Sequence, residues 1–314
     1  MKTLNILSVL IFVAIVGGVS VLLLANSRID IVASLPVFKD LTERIGGDKV
    51  KVEALAKGYQ DPHFVDAKPS YIVKMNQADL FIWAGLDLEI GWMPPLVEGA
   101  RNAKILWGAA GNLDVSKGIS LLEIPQVAAA QLRAGGDLHV YGNPHYWLDP
   151  VRGKTIAQNI YERLVQISPE SQAYFKANLD RFNGELDKKV AEWLEKLEPY
   201  RGSKLIAYHN SWPYFEERFG LNIVDFIEPK PGIPPSPAHL VSVIKTMQQQ
   251  NIKVIIIEPY FDDKPAQSVA SRTGGTVVPI ATSVGAFKEV QSYFDLFDYN
   301  VNALVDAFQR KVQN

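Results

Sequence analysis

Two of the five histidines in the chain, and one glutamate, follow short apolar segments that are typical of buried strands, and a third histidine lies between a glycine-rich loop and a helical segment. His209 ends KLIAYH, Glu258 ends KVIIIE, and His63 comes shortly after KVKVEAL. His145 lies in NPHYWLDP, where prolines restrict the backbone at both ends. Ligands of open parallel sheets bind at the carboxyl ends of the strands, so these four side chains are candidates for one site. Imidazole and carboxylate groups together predict a transition-metal site.

The sequence also limits the chemistry that the site could perform. It contains no cysteine, so a metal could be bound only by His, Asp or Glu. The motifs GxGxxG, Walker A, GxSxG and HExxH are absent, and a net charge of −2 does not indicate a nucleic-acid partner. One histidine at a strand end is more often structural than a ligand, so the hypothesis depends on three occurring together. Of the other two, we expect His139 to be exposed and His239 to be structural.

From Arg28 onward, β-rich segments alternate with helical patterns, which predicts an α/β fold with parallel sheets flanked by helices. The residues from Ser168 to about 200 carry one apolar stripe at helical spacing, and Ser168 is a suitable N-cap. We therefore predict an N-terminal lobe over 28–167, a linking helix over 168–200 and a C-terminal lobe over 201–314. The predicted strands are 29–35, 49–55, 79–85, 103–108, 204–209, 222–229, 253–261 and 276–281.

The first 27 residues have a different character from the rest of the chain. One lysine, Lys2, precedes a long uncharged apolar run that ends in Ala25-Asn26-Ser27. This pattern is typical of an export signal cleaved near Ser27, and the small residues suit a signal peptidase. The run is long for a cleaved signal, so a retained membrane anchor is the alternative.

Several motifs resemble those of the metal-binding receptors of ABC transporters for zinc and manganese. The matching segments are DPHFVDAKPS, ADLFIWAGLDLEIGW, PHYWLDP, AYHNSWPYFEERFGL and PGIPPSPAHL, which occur in order over residues 29–310. The resemblance implies two α/β lobes joined by one long helix. It also implies metal capture in the periplasm or outside the cell, delivery to a membrane permease, and no enzymatic activity. Its ligands carry over as His63, His145 and His209.

The chain departs from the family where a fourth ligand is expected. The family usually has an aspartate after the last strand, whereas this region reads VVPIATSVGAF, with Ala281 or Thr282 at that place. Glu258 is the candidate replacement because it ends a neighbouring strand. The alternatives are Asp225, Glu228, Asp262 and a water molecule.

Three imidazoles with one carboxylate favour Zn²⁺ as the transported ligand, with Mn²⁺ second, because nitrogen-rich sites suit softer ions. We expect Asp149 or a backbone carbonyl to orient His145. We expect the long helix to restrict hinge motion, and the protein to be a monomer. Two other functions stay open from the residues alone, an exported zinc-dependent hydrolase and a metal-binding surface adhesin.

Overall fold

The computed structural model describes residues 28–126 and 140–312. Its first half contains a parallel sheet with the strand order β2-β1-β3-β4. The strands are β1 (Ile29–Ala33), β2 (Val50–Ala54), β3 (Leu80–Trp83) and β4 (Asn112–Asp114). The helices of this half are α1 (Pro36–Gly46), α2 (Pro69–Gln77) and α3 (Pro94–Gly99). We call this sheet and its helices the N-terminal lobe.

The second half contains a parallel sheet with the equivalent strand order, β6-β5-β7-β8. The strands are β5 (Lys204–Ala207), β6 (Asn222–Phe226), β7 (Val254–Ile257) and β8 (Thr276–Pro279). The helices after β5 are α6 (Pro213–Phe219), α7 (Pro237–Gln249), α8 (Lys264–Thr273) and α9 (Tyr293–Val312). We call this half the C-terminal lobe. In each lobe the first strand pairs with the second and the third, so equivalent strand ends can be compared directly.

Two long helices lie between the sheets, α4 (Pro150–Ile167) and α5 (Gln172–Leu197). The 26 residues of α5 span about 39 Å. Short 3-10 turns at Pro169–Ser171 and Glu198–Tyr200 extend this segment at both ends. The buried side of α5 packs against α1, α4 and α9, so the linking helix is embedded in the protein.

One apolar cluster runs through both lobes. It includes Phe38 on α1, Trp193 on α5, Tyr214 on α6 and Phe297 on α9, and each of these side chains is fully buried. A second, smaller cluster lies within the C-terminal lobe, on the other face of β5. Because the larger cluster is shared, moving the lobes apart would expose apolar surface to water. The free-energy cost would be about 25 cal/mol for each Å² exposed.

Prolines fix the starts of many helices. A proline occupies the first or second position of α1, α2, α3, α4, α6, α7 and α8. Proline is favourable there because its φ angle suits a helix and its missing N–H would have no intrahelical partner. The loops that follow the strands therefore end at defined residues, which restricts the positions that their side chains can take.

The structure confirms the two-lobe α/β fold and the long central helix, with two corrections in detail. The predicted strand at 103–108 is wrong, since these residues form turns and β4 begins later, at Asn112. Ile105 is buried while Leu106 and Trp107 are largely exposed, so the apolar run is divided between core and surface. Ser168 ends α4 and does not cap α5, which begins at Gln172 after a 3-10 turn.

Some predictions fall on residues outside the described ranges or depend on them. The export signal or anchor over 1–27 and the exposure of His139 both lie outside the described residues, and the lobe boundaries stay predictions. Within the described part of the chain, no helix has the length and apolar character needed to cross a membrane.

The packing between α4 and α9 predicts opposite effects for two glycine substitutions. A Cβ atom at Gly153 would overlap the buried hydroxyl and ring of Tyr293, whereas a Cβ at Gly184 on α5 would meet open space. Gly153→Ala should lower the free energy of unfolding by about 1–3 kcal/mol through overpacking. Gly184→Ala should raise it by about 0.5–1 kcal/mol, because alanine favours a helix. Urea denaturation measures both variants, and effects of equal sign would contradict this packing.

Candidate metal centre

His63, His145 and His209 lie together in the structure. One ring nitrogen from each can be chosen so that all three atoms lie within 4.8 Å of one another. The ring centroids are 5.1 Å apart for His63 and His145, 5.3 Å for His63 and His209, and 5.6 Å for His145 and His209. All three side chains are buried. The structure therefore brings together the three histidines that the sequence singled out.

Two of the histidines lie in loops that follow strands, the third lies just before α4, and the two lobes both contribute. His63 lies in the loop after β2, and His145 lies in the segment between β4 and α4. His209 comes two residues after the end of β5 in the other lobe. The cluster is thus located where the carboxyl edges of the two sheets face each other, as expected for ligands of parallel sheets.

The loops of His63 and His145 share one local device, the sequence Asx-Pro-His. Asp61 Oδ1 accepts the backbone N–H of His63 at 2.9 Å and lies 2.7 Å from Nδ1 of the same ring. Asn143 Oδ1 accepts the backbone N–H of His145 at 3.0 Å and lies 3.0 Å from its Nδ1. In both turns one side-chain oxygen fixes the backbone and the ring together.

His209 is held by a residue from another loop. Its Nδ1 lies 2.5 Å from Glu228 Oε2, and Glu228 Oε1 accepts the backbone N–H of Gly232 at 2.7 Å. Since Nδ1 of each of the three rings contacts an oxygen, Nδ1 carries the proton and Nε2 is the nitrogen that can bind a metal. The Nε2 atoms of His145 and His209 are shielded from solvent.

Burial and hydrogen bonds together shift the pKa values of His209 and Asp61. Burial lowers the pKa of His209, against the opposing effect of the hydrogen bond to Glu228, and the nearby His63 ring lowers it further. Burial acts to raise the pKa of Asp61, but the hydrogen bonds and charge of His63 outweigh it, so this pKa is lowered. The result is a neutral His209 over a wider pH range and an ionised Asp61, which is the combination that metal binding requires.

Glu258 is not part of the group of mutually close ligand atoms found among the described residues. Its Oε1 accepts hydrogen bonds from Ser211 Oγ at 2.8 Å and Trp212 Nε1 at 2.9 Å. Burial raises the pKa of Glu258 to about 8, so the carboxyl is protonated at neutral pH. These contacts hold the loop that follows His209. A position at the end of a strand places a residue at the edge of the sheet, but it does not predict which side chains the residue contacts there.

The other carboxylates considered as a fourth ligand are not in the histidine group of the described residues either. Glu228 contacts the His209 ring at Nδ1, so it supports a histidine. Asp225 and Asp262 accept hydrogen bonds from backbone N–H groups close to them in the chain. Among the described residues, the group of mutually close potential metal ligands therefore consists of three histidine nitrogen atoms.

The expected partner of His145 is also corrected. The oxygen at Nδ1 of this ring belongs to Asn143 and not to Asp149 or a backbone carbonyl. Asp149 accepts the backbone N–H of Val151 and so caps α4. His239 has the structural role expected of it, since its Nε2 lies 2.9 Å from the carbonyl oxygen of Phe226.

Sequence reasoning missed the residues that orient the rings, although one signal was present. Asp61 and Asn143 stand two residues before His63 and His145, with a proline between in both cases. This repeated spacing could have predicted both contacts. Glu228 lies 19 residues from His209, so its contact depends on the pairing of β5 and β6.

Both lobes place a buried glutamate after the third strand of the sheet. Glu89 Oε1 accepts hydrogen bonds from Ser34 Oγ and the backbone N–H of Ala84, each at 2.7 Å. Burial raises the pKa of Glu89 to about 7. Glu89 and Glu258 each join the loops after two neighbouring strands, so they anchor the edges of the sheets from which the histidines project.

The chain is similar to known proteins over most of its length. The family described as "ZnuA: Zinc-uptake complex component A periplasmic" matches residues 31–307. The manganese ABC transporter substrate-binding lipoprotein PsaA of Streptococcus anginosus is 25% identical over 300 residues, covering 91% of each protein. A crystal structure of ZnuA has a TM-score of 0.75 and 26% identity, and covers 90% of this chain and 99% of that chain. A zinc-bound ZnuA deletion mutant has a TM-score of 0.74 and 25% identity, with coverage of 90% and 98%.

The buried glutamates predict a pH-dependent stability. Folding raises the pKa of Glu258 from 4.5 to about 8. Proton binding by this carboxyl therefore contributes fully to the free energy of unfolding below pH 4.5, and that contribution is lost as the pH rises toward 8. Glu258→Gln does not titrate. Without metal, its free energy of unfolding should therefore increase relative to the wild type by up to about 3–5 kcal/mol across this window.

Urea denaturation at a series of pH values measures this difference. Glu89→Gln is the companion variant. Its increase in the free energy of unfolding relative to the wild type should be complete at a lower pH, because the pKa of Glu89 is about 7. A difference between Glu258→Gln and the wild type that stays constant from pH 4.5 to 8 would contradict a neutral, buried Glu258.

Proposed function

Since the chain belongs to the family of periplasmic zinc-uptake component A proteins, we propose that it captures a divalent transition metal outside the cytoplasmic membrane. It then delivers the ion to the permease of an ABC transporter. Relatives such as PsaA are named as substrate-binding proteins of metal ABC transporters. The permease and the metal ion are accordingly the partners of this chain, and the protein acts as a monomer.

The observation that carries this proposal is the buried group of three imidazoles between the two lobes. His63, His145 and His209 are the proposed ligands, each through Nε2. Their orientation is fixed by Asp61, Asn143 and Glu228 before a metal arrives. Such preorganisation favours tight binding because little side-chain freedom is lost when the ion enters.

The donor set favours zinc as the first choice of cargo and manganese as the second. Three neutral imidazoles suit Zn²⁺, whereas Mn²⁺ prefers more carboxylate oxygen. Two of the rings are backed by carboxylates, Asp61 and Glu228, which makes their Nε2 atoms better donors. We propose a water molecule as the fourth ligand of the ion, as in other zinc sites with three protein ligands.

A cleft of about 380 Å³ reaches His209 from the surface and provides a route for the ion. Its lining includes the carboxylates Glu123 and Glu228 and one ammonium group, that of Lys230, together with Pro229 and Pro231. The excess of negative charge in this lining attracts cations. The shared apolar core opposes wide opening of the lobes, so metal enters and leaves through local movement of the loops around this cleft.

The remaining alternatives are less well supported. The family consists of transport receptors and not of enzymes, so the zinc-dependent hydrolase is not favoured, and neither is an adhesin without a transport role. We propose that residues 1–27 export the chain and are cleaved near Ser27 or are kept as an anchor.

Zinc titration against a chromophoric chelator tests the site directly. The wild type should bind one zinc ion. Alanine at His63, His145 or His209 should weaken binding by more than about 100-fold, since loss of a residue that merely orients a ligand costs about 10–100-fold.

His239→Ala is the matched control, because His239 is also ordered by hydrogen bonds but lies outside the group. Its affinity for zinc should equal that of the wild type. Unchanged affinity in any one of the three ligand variants would exclude that residue as a ligand. No tight binding of zinc or manganese by the wild type would refute the function.

A further inference from the structure

We infer that Arg218, on helix α6 of the C-terminal lobe, is a positioning residue for the metal site. It acts through Asp149 to fix the segment of His145 against the lobe that carries His209. This inference rests on the proposed function, since it concerns the geometry of the same three ligands. Arg218 itself does not belong to the group of ligand atoms.

The segment 143–150, which carries His145, is bonded to the C-terminal lobe at several points along its length. The hydroxyl of Tyr214 donates to the carbonyl oxygen of Asn143 at 2.7 Å. Trp147 Nε1 donates to the carbonyl oxygen of Thr282 at 2.8 Å, and the hydroxyl of Tyr293 donates to the carbonyl oxygen of Trp147 at 2.9 Å. Although His145 follows a strand of the N-terminal lobe, its segment is therefore attached to the other lobe.

The ion pair between Asp149 and Arg218 is the charged contact in this attachment. Arg218 Nε donates to Asp149 Oδ1 at 2.7 Å, and Nη2 donates to Oδ2 at 3.0 Å. The Asp149 side chain is fully buried and that of Arg218 is 30% exposed. A guanidinium that engages both carboxylate oxygens fixes direction as well as distance, which a single hydrogen bond does not.

The position of this pair in the chain links two of the proposed ligands. Asp149 lies four residues after His145, and α6 begins four residues after His209. The pair therefore joins the two segments that carry these histidines. Nε2 atoms must lie about 2.0–2.1 Å from a zinc ion, so a shift of a few tenths of an ångström between the segments weakens binding.

Asp149 keeps other partners when Arg218 is replaced. Arg152 Nη1 donates to Asp149 Oδ2 at 2.7 Å, and the backbone N–H of Val151 donates to Oδ1 at 2.9 Å. The buried carboxylate is thus still paired in an Arg218 variant, and the cap of α4 is preserved. Substitution should change the position of the segment more than the stability of the fold.

The experiment compares Arg218→Met, which keeps the apolar stem but loses every donor, with Arg218→Lys, which retains one charged donor. Arg218→Met should weaken zinc binding by about 10–100-fold and speed zinc dissociation, and Arg218→Lys should lie between it and the wild type. The d–d absorption bands of Co²⁺-loaded protein should change in Arg218→Met, because they report the arrangement of the ligands. A role in stability alone would leave this spectrum as in the wild type.

Lys189→Met is the matched control. Lys189 Nζ donates to the carboxylate of Asp298 at 3.0 and 3.1 Å, and its side chain is 34% exposed, close to the value for Arg218. Asp298 keeps the indole N–H of Trp193 as a partner in this variant. Zinc affinity and the Co²⁺ spectrum of this variant should equal those of the wild type.

Wild-type zinc affinity and an unchanged Co²⁺ spectrum in Arg218→Met would overturn the inference while leaving the proposed function intact. If Arg218→Met does not fold, Arg218→Lys decides: weaker zinc binding supports the positioning role, and wild-type binding overturns it. Absence of zinc binding by the wild type would overturn both proposals.

Discussion

An imidazole ring offers a metal only one nitrogen at a time, so the other nitrogen has to fix the ring. In this protein every Nδ1 of the three clustered histidines contacts a side-chain oxygen, from Asp61, Asn143 or Glu228. That contact sets the tautomer, places the lone pair on Nε2 and makes the ring a better donor where the oxygen is anionic. The rest of the structure can be understood as the means of holding these three ring–oxygen pairs within reach of one another.

The fold meets this requirement with two sheets of the same topology whose carboxyl edges face each other. Loops at such edges can carry side chains of any kind, because the strands and helices behind them supply the stability. Here those helices share one apolar cluster with the central helix, from Phe38 to Phe297. The two lobes therefore form the frame, and the loops at its sheet edges are the parts that can carry ligand side chains such as the histidines.

Much of this arrangement follows from the sequence, and the exceptions have physical causes. The alternation of apolar strands and helices predicts the fold, and two strand ends and one proline-flanked segment predict the histidines. The false strand at 103–108 arose because an apolar run was divided between core and surface, which hydropathy does not reveal. A strand end indicates only an edge of the sheet, whereas Ser211 and Trp212 decide what the Glu258 carboxyl contacts, so its place outside the histidine group of the described residues could not be predicted. Glu228 was considered only as a ligand, and its contact with the His209 ring could not be foreseen because that contact depends on how two strands pair.

A crystal structure of the zinc-loaded protein, with anomalous differences collected on both sides of the zinc absorption edge, tests the central claim most directly. The account predicts one zinc peak about 2.0–2.1 Å from Nε2 of His63, His145 and His209, with Nδ1 of each ring still on its oxygen partner. A zinc ion bound through Nδ1, or one that recruits Glu258 in place of a histidine, would contradict it.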